Sequence, residues 1–363
     1  MVLASVIESP GRLPEVRSFP EPDLEKGAVL LRTIRSEVCG TDVHLYHGRL
    51  AETPYPLIPG HINVGEVEDV NGEILDVDGT PVRPGDVVTF LDVHETCNNC
   101  WFCLVAKAST RCPKRKVYGI TYGANDGLLG GWSEKIYLKP GVKIVRLSVD
   151  PDMFIGGGCG LPTAFHAVCR GGVGLGDTVV VQGSGPVGLN AVALSRLSGA
   201  TRVILVGTPR ERLEVGLKLG ADAVVDISRY GPSERVEEVK RLTGGRGADV
   251  CIEATGVPGA LREGMAMTRD AGTYVVVGQY TDNGEVTVNP HREINKRHLS
   301  VLGTWGIDFS HFYKSIRVME SNARNYPWHL LVSRRYGLHE AGQAILDVEA
   351  QRVVKAVIDP FKT

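Results

Sequence analysis

The 363-residue sequence has no apolar run long enough to cross a membrane, and no basic stretch precedes an apolar one near its amino terminus. A transmembrane helix needs roughly 20 apolar residues in succession, and an export signal begins with positive charge. Like charge is not concentrated either, since 40 basic residues are balanced by 42 acidic ones with no long block of one sign. We therefore expect a cytoplasmic protein that binds neither membranes nor nucleic acid.

The length and the 43% content of hydrophobic residues are enough for two ordinary domains. We expect residues 1–160 to form the first part of a β-rich domain, because short apolar runs such as Ala28–Ile34 and Gly85–Phe90 alternate with glycine and proline. The last residues, 302–363, end in the strand-like run Val353–Ile358. We expect them to return to the first domain.

The middle of the chain, residues 161–301, has a different pattern. Buried-type strands alternate there with helices such as Glu211–Leu219, which is typical of a doubly wound parallel sheet. The predicted strands are Thr178–Gln182, Arg202–Val206, Val250–Glu253 and Tyr274–Val277. The fold class is therefore α/β, with a β-rich domain and a parallel-sheet domain.

Four of the eight cysteines are close together in the first domain, at Cys97, Cys100, Cys103 and Cys112. This spacing predicts a closed tetrahedral site for a structural zinc ion, because four thiolates leave no position open for a substrate. Disulfide bonds are the alternative use of such a cluster. They are disfavoured because the sequence shows no export signal, and disulfides are rare in a reducing compartment.

A glycine-rich segment, Gly183-Ser-Gly185-Pro-Val-Gly188, closes the strand Thr178–Gln182 and opens a helical pattern. In this position a GxGxxG motif binds the pyrophosphate of a dinucleotide. Gly183 permits the tight turn, Gly185 lets the backbone approach the phosphates, and Gly188 permits close packing of helix against strand. The helix amino terminus adds amides and a positive dipole end. The alternative is a glycine turn without a ligand, but we predict NAD(P) as cofactor.

The residues that follow the second strand of this domain bear on the choice between NAD and NADP. An NAD site normally has Asp or Glu there, which accepts hydrogen bonds from the ribose 2′-hydroxyl. This sequence has Gly207 instead, and Thr208, Arg210 and Arg212 follow as groups able to bind a 2′-phosphate. The sequence therefore favours NADP slightly over NAD, with two solvent-facing arginines as the alternative interpretation.

Further segments carry a family resemblance when they are taken in order with the cysteine cluster and the glycine motif. They are Cys39-Gly-Thr41-Asp42-Val-His44, Pro59-Gly60-His61, Gly130-Gly-Trp-Ser-Glu-Lys135 and Gly158-Cys159-Gly160. The whole chain resembles the zinc-dependent medium-chain alcohol dehydrogenase family, nearest its branch of threonine, sorbitol and glucose dehydrogenases. The resemblance implies a GroES-like catalytic domain joined to a Rossmann domain.

The resemblance also implies a second zinc site, because the family residues that match Cys39, His61 and Cys159 bind a catalytic zinc ion. Two thiolates and one imidazole leave the fourth position for water or the substrate oxygen, where Zn²⁺ acts as a Lewis acid. Thr41 matches the family's hydroxyl beside the alcohol, and His44 matches the last histidine of its proton relay. For His44 and the nearby His47, a plain surface histidine is the alternative.

Two weaker correspondences concern the cofactor. Thr163 matches a family position that touches the nicotinamide, and Lys355 matches a basic residue that pairs with the pyrophosphate. Ordinary packing and a solvated lysine are the alternatives. Cys169 and Cys251 lie in apolar runs and are expected in the core.

The implied function is that of an alcohol or polyol dehydrogenase, which transfers a hydride between a hydroxyl substrate and NAD(P), with two zinc ions per chain in a homodimer or homotetramer. The chain departs from the family at Ile62, where Glu is usual, so one carboxylate near the zinc is missing. Two alternatives stay open: a zinc-independent enoyl or quinone reductase on the same fold, and a non-catalytic cofactor-binding protein. The substrate is left undetermined, with His94, Trp132 and Trp305 as candidate pocket residues.

Overall fold

A computed structural model of the protein describes residues 1–362. The strands in chain order are β1 (Val2–Val6), β2 (Glu15–Phe19), β3 (Val29–Val38), β4 (Asn63–Val70), β5 (Val87–Phe90), β6 (Val93–Glu95), β7 (Lys116–Val117), β8 (Lys135–Leu138), β9 (Ile144–Arg146), β10 (Thr178–Gln182), β11 (Arg202–Gly207), β12 (Ala223–Asp226), β13 (Ala248–Glu253), β14 (Thr268–Val276), β15 (Ser300–Gly303), β16 (Val332–Tyr336) and β17 (Lys355–Ile358). The α-helices are α1 (Gly40–Tyr46), α2 (Trp101–Leu104), α3 (Pro151–Gly157), α4 (Gly160–Gly171), α5 (Pro186–Leu197), α6 (Arg210–Lys218), α7 (Pro232–Leu242), α8 (Ala260–Met267), α9 (Phe309–Asn322) and α10 (Ala341–Glu349). Short 3₁₀ turns and one π-helical segment, Pro290–Asn295, complete the elements of the described chain.

The chain divides into two compact units. The first consists of Met1–Gly158, Asp308–Tyr313 and the residues from His329 onward, and the second of Cys159–Ile307 and Lys314–Trp328.

The first unit is built on a seven-stranded sheet in the order β16-β17-β3-β4-β5-β9, with β8 also paired to β3. The sheet is antiparallel except for β16 and β17, which run parallel. Two smaller ladders, β1-β2 and β6-β7, complete the unit. Strand β3 is the long central strand, and it ends one residue before Cys39. The β-rich first domain is therefore confirmed, and its central strand delivers a predicted metal ligand.

The second unit is a six-stranded parallel sheet in the order β12-β11-β10-β13-β14-β15. In chain order this is the 3-2-1-4-5-6 arrangement of a doubly wound dinucleotide-binding fold. Val179, Val180 and Val181 of β10 are all fully buried, because both faces of a parallel sheet are covered. The Rossmann prediction is confirmed, and the glycine motif follows the central strand.

The predicted return to the first unit at residue 302 needs correction. Residues up to Ile307, and again Lys314–Trp328, belong to the second unit. Two contacts explain this: β15 is the edge strand of the parallel sheet, and the Trp328 indole Nε1 donates to the Asn190 amide oxygen on α5 at 3.0 Å. Within residues 1–362, no helix combines the length and the apolar character that a bilayer span requires.

Candidate active site and metal centres

The four clustered cysteines converge as the spacing predicts. The Sγ atoms of Cys97, Cys100, Cys103 and Cys112 all lie within 4.8 Å of one another. The pairs Cys100–Cys103 and Cys97–Cys112 are 3.5 Å apart, whereas a disulfide bond is about 2.05 Å long. Sulfurs that surround zinc at about 2.3 Å form a tetrahedron with edges of about 3.8 Å. The cluster therefore fits a closed zinc site, and all eight cysteines are free thiols.

Backbone contacts arrange the cysteines of the Cys97 loop. The Cys97 N–H donates to the Cys112 sulfur at 3.2 Å, which joins the two ends of the loop. Cys100 is the N-cap of the short helix α2, and Cys103 lies inside that helix. One helical turn thus points two thiols in the same direction.

A second group brings together Cys39, His61 and Cys159, whose ligand atoms also lie within 4.8 Å of one another. The Cys39 sulfur is 4.0 Å from the His61 Nε2. A tetrahedral zinc with ordinary bond lengths would place these two atoms about 3.6 Å apart. Cys39 and His61 are buried, and Cys159 is half-buried. Three ligands of this chemistry suit a catalytic zinc with one open position.

The local structure fixes Cys39 through a helix cap. Cys39 is the N-cap of α1, and its sulfur accepts the Thr41 N–H at 3.2 Å while its own N–H donates to the Asp42 carboxylate at 2.8 Å. This reciprocal pair is a capping box, in which a thiol takes the place of the usual hydroxyl. Asp42 is fully buried, and it orients this ligand by gripping the Cys39 backbone.

The electrostatics of the site call for a cation. Burial lowers the pKa of His61, but the negative charges of Cys39, Asp42 and Asp92 outweigh burial and raise this pKa to about 10. Burial raises the pKa of Asp42 well above its ordinary value, with Cys39 adding to the effect. One Asp42 oxygen and the His61 Nδ1 are buried without a hydrogen bond among the described residues. Buried negative oxygen and sulfur atoms are costly unless positive charge lies nearby, and a zinc ion at this site would supply it.

The segment before β4 positions His61 but provides no extra carboxylate. Gly60 has φ of +91°, and a Cβ there would lie 2.5 Å from the Ser36 hydroxyl and 2.6 Å from Trp132. Only glycine fits this crowded, left-handed position. Ile62 is 1% exposed, and its carbonyl accepts the Glu37 N–H at 3.0 Å, so it packs in the core. A buried carboxylate that the sequence analysis missed, Asp92, contributes negative charge near His61.

The predicted relay residues lie on α1. Thr41 and His44 are half-buried and three residues apart, so they share one face of the helix. Burial lowers the pKa of His44 from its ordinary value, and Arg49 adds to this effect. His47, in contrast, lies 2.6 Å from the Glu349 carboxylate on α10. That contact ties His47 to a partner outside the metal group.

The glycine motif has the geometry that a pyrophosphate site requires. Gly183 has φ of +105°, and a Cβ there would lie 2.5 Å from the Ala254 carbonyl oxygen. A Cβ on Gly188 would lie 1.8 Å from the Gly183 carbonyl oxygen, so a side chain cannot fit where helix meets strand. Gly185 is the N-cap of α5 and faces open space, where a Cβ would meet nothing within 4 Å. The three glycines thus have the geometry that the three predicted roles require.

The structure separates the two arginines that follow β11. Arg210 is the first residue of α6, and its side chain is 72% exposed while it pairs with Glu214 at 3.0 Å. Arg212 is buried, and burial lowers its pKa. Thr208 is half-buried, and its N–H donates to the Ser184 hydroxyl at 3.2 Å. Arg210 therefore remains the accessible cation at the end of this strand.

Gly207 is required for packing as well as for charge. A Cβ on Gly207 would lie 2.7 Å from the Ser184 hydroxyl, which itself donates to the Thr208 carbonyl at 2.6 Å. An aspartate at this position would disturb the glycine loop in addition to adding charge. The side chain of residue 207 is thus excluded sterically, and Arg210 is the better position for testing cofactor choice.

Lys355 occupies a place that neither interpretation of the sequence anticipated. It is 1% exposed on β17, where its ammonium group pairs with the equally buried Glu37 carboxylate and donates to the Gly157 carbonyl at 3.4 Å. A Cβ on Gly158 would touch both charged groups, at 2.2 and 2.3 Å. Lys355 is therefore not a solvated lysine. Thr163 is half-buried on α4, and its N–H donates to the Cys159 carbonyl at 3.4 Å.

The three candidate pocket residues differ in how far their side chains are exposed. Trp132 is fully buried, and its Nε1 donates to the Glu37 carbonyl at 3.1 Å. His94 lies between the Tyr122 hydroxyl, at 2.8 Å, and the Pro140 carbonyl, at 3.1 Å. Trp305 is 38% exposed and stacks on Tyr280 with ring centroids 5.7 Å apart. Of the three, Trp305 alone offers an exposed ring.

The two remaining cysteines, Cys169 and Cys251, differ in burial. Cys251 is fully buried on β13, as expected, but Cys169 is exposed near the carboxyl end of α4, so its expected place in the core was wrong.

Comparison with known proteins gives a consistent result. Residues 25–148 match the family described as alcohol dehydrogenase GroES-like domain, and residues 186–321 match that described as zinc-binding dehydrogenase. The chain is 32% identical to 5-exo-hydroxycamphor dehydrogenase from Pseudomonas putida over 349 residues, 95% of each chain. An alcohol dehydrogenase structure from Thermotoga maritima matches with a TM-score of 0.94 at 33% identity, covering 99% of both chains. A zinc-binding dehydrogenase from Sinorhizobium meliloti, solved with NADP, matches at 0.86 and 27% identity over 99% of both chains.

Proposed function

The chain belongs to the zinc-dependent medium-chain alcohol dehydrogenase family, and we propose that it oxidises a secondary alcohol with NADP as the hydride acceptor. It is an oxidoreductase that acts on CH–OH groups and uses zinc and NAD(P). The reductase and non-catalytic alternatives do not explain a complete group of three catalytic ligands.

The observation that carries the proposal is the convergence of Cys39, His61 and Cys159. A zinc ion held by these three residues would supply a Lewis acid that favours loss of the alcohol proton. The two thiolates of this group keep the surroundings negative, which would moderate the charge of the ion. Because Ile62 cannot bind metal, we propose that the ligand set stays at three protein groups throughout.

The chain's own residues then have to move a proton from the buried site to water. A hydroxyl can donate and accept at once, and a neutral imidazole can accept. Thr41 is adjacent to the N-cap Cys39 and half-buried, which suits the first role. The lowered pKa of His44 keeps its imidazole neutral over the physiological range, which suits the second. We assign His44 rather than His47 because His47 is held by Glu349.

The cofactor preference rests on Arg210. It is exposed at the start of α6, at the end of the strand where NAD enzymes place a carboxylate. The Sinorhizobium meliloti relative was solved with NADP. Because Arg212 is buried, we propose Arg210 and the Thr208 hydroxyl as the groups that bind the 2′-phosphate, and Thr163 as a contact of the nicotinamide.

The substrate class rests on the Pseudomonas putida relative, named for 5-exo-hydroxycamphor, in which the hydroxyl is on a ring carbon that also bears a hydrogen and is therefore secondary. We also propose that the protein acts in the cytoplasm, since all eight cysteines are free. We propose a homodimer or homotetramer, and β15 supports this because it is an edge strand of the parallel sheet.

A substrate panel tests the function. Zinc-loaded protein is assayed with cyclic secondary alcohols, linear secondary alcohols, polyols and primary alcohols, each with NAD and NADP. We expect the highest kcat/KM for cyclic secondary alcohols with NADP, and no turnover with His61→Ala. A panel in which no alcohol is oxidised, or in which His61→Ala is as active as the unaltered protein, would contradict the proposal.

A further inference from the structure

A cavity of about 580 Å³ in the second unit has a lining dominated by positive charge. Six cationic side chains contribute to it: Lys240, Arg246, Arg262, Arg269, Arg292 and Arg297. The acidic lining residues are Asp270 and Glu293. The lining therefore carries an excess of four positive charges, in a chain whose formal net charge is -2. A concave surface of one sign raises the local concentration of ions of the other sign.

The cavity is separate from the cofactor loop, and the sheet topology shows why. Arg246 comes two residues before β13, and Thr268 is the first residue of β14, so both lie where strands begin. Gly183 follows the carboxyl end of β10, and all these strands run parallel. A six-residue strand is about 20 Å long. The cavity therefore lies at the amino-terminal ends of the parallel strands, and the glycine motif lies at their carboxyl-terminal ends.

Three of the six cations are held in place by the protein. The Arg297 guanidinium pairs with Asp270 at 2.8 Å and donates to the Met265 carbonyl at 2.6 Å. Arg269 pairs at 2.6 Å with Asp249, which is not a lining residue, and Arg262 pairs with Glu293 at 2.9 Å. These three form a fixed wall of guanidinium groups whose charges are largely matched by protein carboxylates, so the unmatched positive charge lies on the other three.

The other three cations are exposed, and their charges are less closely paired with protein carboxylates. Arg246 is 63% exposed and only 3.7 Å from Asp249, which already pairs with Arg269. Lys240 lies in the last turn of α7, and Arg292 lies on the π-helical segment; both are exposed. Long side chains with free rotamers on the rim of a rigid basic wall can close on a multivalent anion with several charge-assisted hydrogen bonds.

The turn that carries Arg246 is fixed by glycine. Gly244, Gly245 and Gly247 all have positive φ, and a Cβ on Gly247 would lie 2.7 Å from the Met267 carbonyl oxygen. The chain therefore presses against α8 at this point and presents Arg246 beside the wall. Packing of backbone on backbone gives the arginine a defined position although its side chain is exposed.

We propose that this cavity is a second anion site, which binds a small polyphosphate, either inorganic or carried by a nucleotide. It lies at the amino-terminal ends of the parallel strands, away from the glycine motif. The volume is within the range of small-ligand pockets. Planar guanidinium groups match phosphate oxygens in pairs. Of the two sources, the inorganic chain would use the charges alone, whereas a nucleotide would gain further contacts from its base.

The test is titration calorimetry of the zinc-loaded protein with inorganic pyrophosphate and, separately, with ATP. NADP is present at about ten times its own Kd to fill the glycine motif. We expect one pyrophosphate per chain, with affinity that falls as salt rises. Tighter binding of ATP than of pyrophosphate would identify a nucleotide ligand, and equal binding an inorganic one.

Charge variants locate the site. In Lys240→Glu/Arg292→Glu we expect pyrophosphate binding to weaken by about a hundredfold or more, since each charge-assisted contact is worth about tenfold. The control, Lys218→Glu/Arg324→Glu, makes the same change in net charge at exposed positions outside the cavity, and we expect less than a twofold effect. If the charge-reversed protein does not fold, Lys240→Gln/Arg292→Gln replaces it, with at least a tenfold loss expected. No pyrophosphate binding to the unaltered protein, or an equal loss in cavity and control variants, would overturn the proposal.

Discussion

The buried pair of Lys355 and Glu37 allows a direct decision between two roles for the lysine. Both side chains are at most 1% exposed, and they lie on paired strands, where Val357 is opposite Glu37. Removing one member of a buried pair leaves an uncompensated charge in the interior and costs about 3–5 kcal/mol. Removing both in favour of apolar groups of similar size is often nearly neutral. We therefore expect Lys355→Met and Glu37→Leu each to be strongly destabilising, and the double variant to recover most of the loss.

The magnitude can be stated as a melting temperature. For a unit of about 200 residues, each kcal/mol shifts Tm by about 2–4 °C, so a loss of about 4 kcal/mol lowers Tm by about 8–16 °C. The matched control is Glu8→Gln, in the pair with Arg17 at 2.7 Å, whose side chains are 35% and 44% exposed. An exposed pair contributes about 1 kcal/mol at most. Denaturant unfolding of the zinc-loaded variants gives the double-mutant cycle.

The opposite result would favour the role that the family resemblance implied. If Lys355 pairs with the cofactor pyrophosphate, Lys355→Met raises the KM for NADP while the free energy of unfolding changes no more than in the Glu8→Gln control. That outcome, together with an additive double variant, would refute the structural assignment.

Three further predictions concern the site. Cys112→Ser should lower Tm and release the structural zinc, because it opens the closed four-thiolate cage. His61→Ala, in contrast, should have the Tm of the unaltered protein and be inactive. An unchanged Tm with zinc retained in Cys112→Ser would contradict this prediction. His44→Ala should lower kcat near pH 7, and part of the loss should be recovered toward pH 9 or with added buffer base. In the unaltered protein, the lowered pKa of His44 keeps its imidazole able to accept a proton to below pH 6.5. An unaffected pH profile would remove His44 from the relay. Arg210→Ala should lower kcat/KM for NADP by about tenfold and leave NAD unaffected, whereas the buried Arg212 should affect mainly Tm when replaced by Ala; equal effects of Arg210→Ala on both cofactors would show that this arginine does not bind the 2′-phosphate.

Much of the fold and of the metal chemistry could be predicted from local sequence. The glycine motif, the four-cysteine spacing and the parallel-sheet strands depend on short segments whose geometry is set by neighbouring residues, and each has the predicted form. Gly188 illustrates this, because the atom that excludes a side chain there, the Gly183 carbonyl oxygen, belongs to the same short motif.

The features that the sequence analysis missed depend on contacts between distant segments. The Lys355 ammonium group pairs with the carboxylate of Glu37, 318 positions earlier, and no local sequence pattern predicts a buried lysine. Arg210 and Arg212 are two residues apart on one helix, yet one is exposed and one buried, because successive helical positions face different directions. Asp92 follows an apolar strand without any motif of its own, and it acts on the pKa of His61, a residue far from it in the sequence. Cys169 was placed wrongly because an apolar run does not show which face of α4 is covered.

Zinc content tests the central claim most directly. Protein purified without chelator is analysed for zinc per chain, beside Cys159→Ser, which removes one ligand of the three-residue group. We predict about two zinc ions per chain in the unaltered protein, and about one, with no alcohol oxidation, in Cys159→Ser. A value near one in both proteins, with alcohol oxidation retained in the variant, would contradict a catalytic zinc held by Cys39, His61 and Cys159.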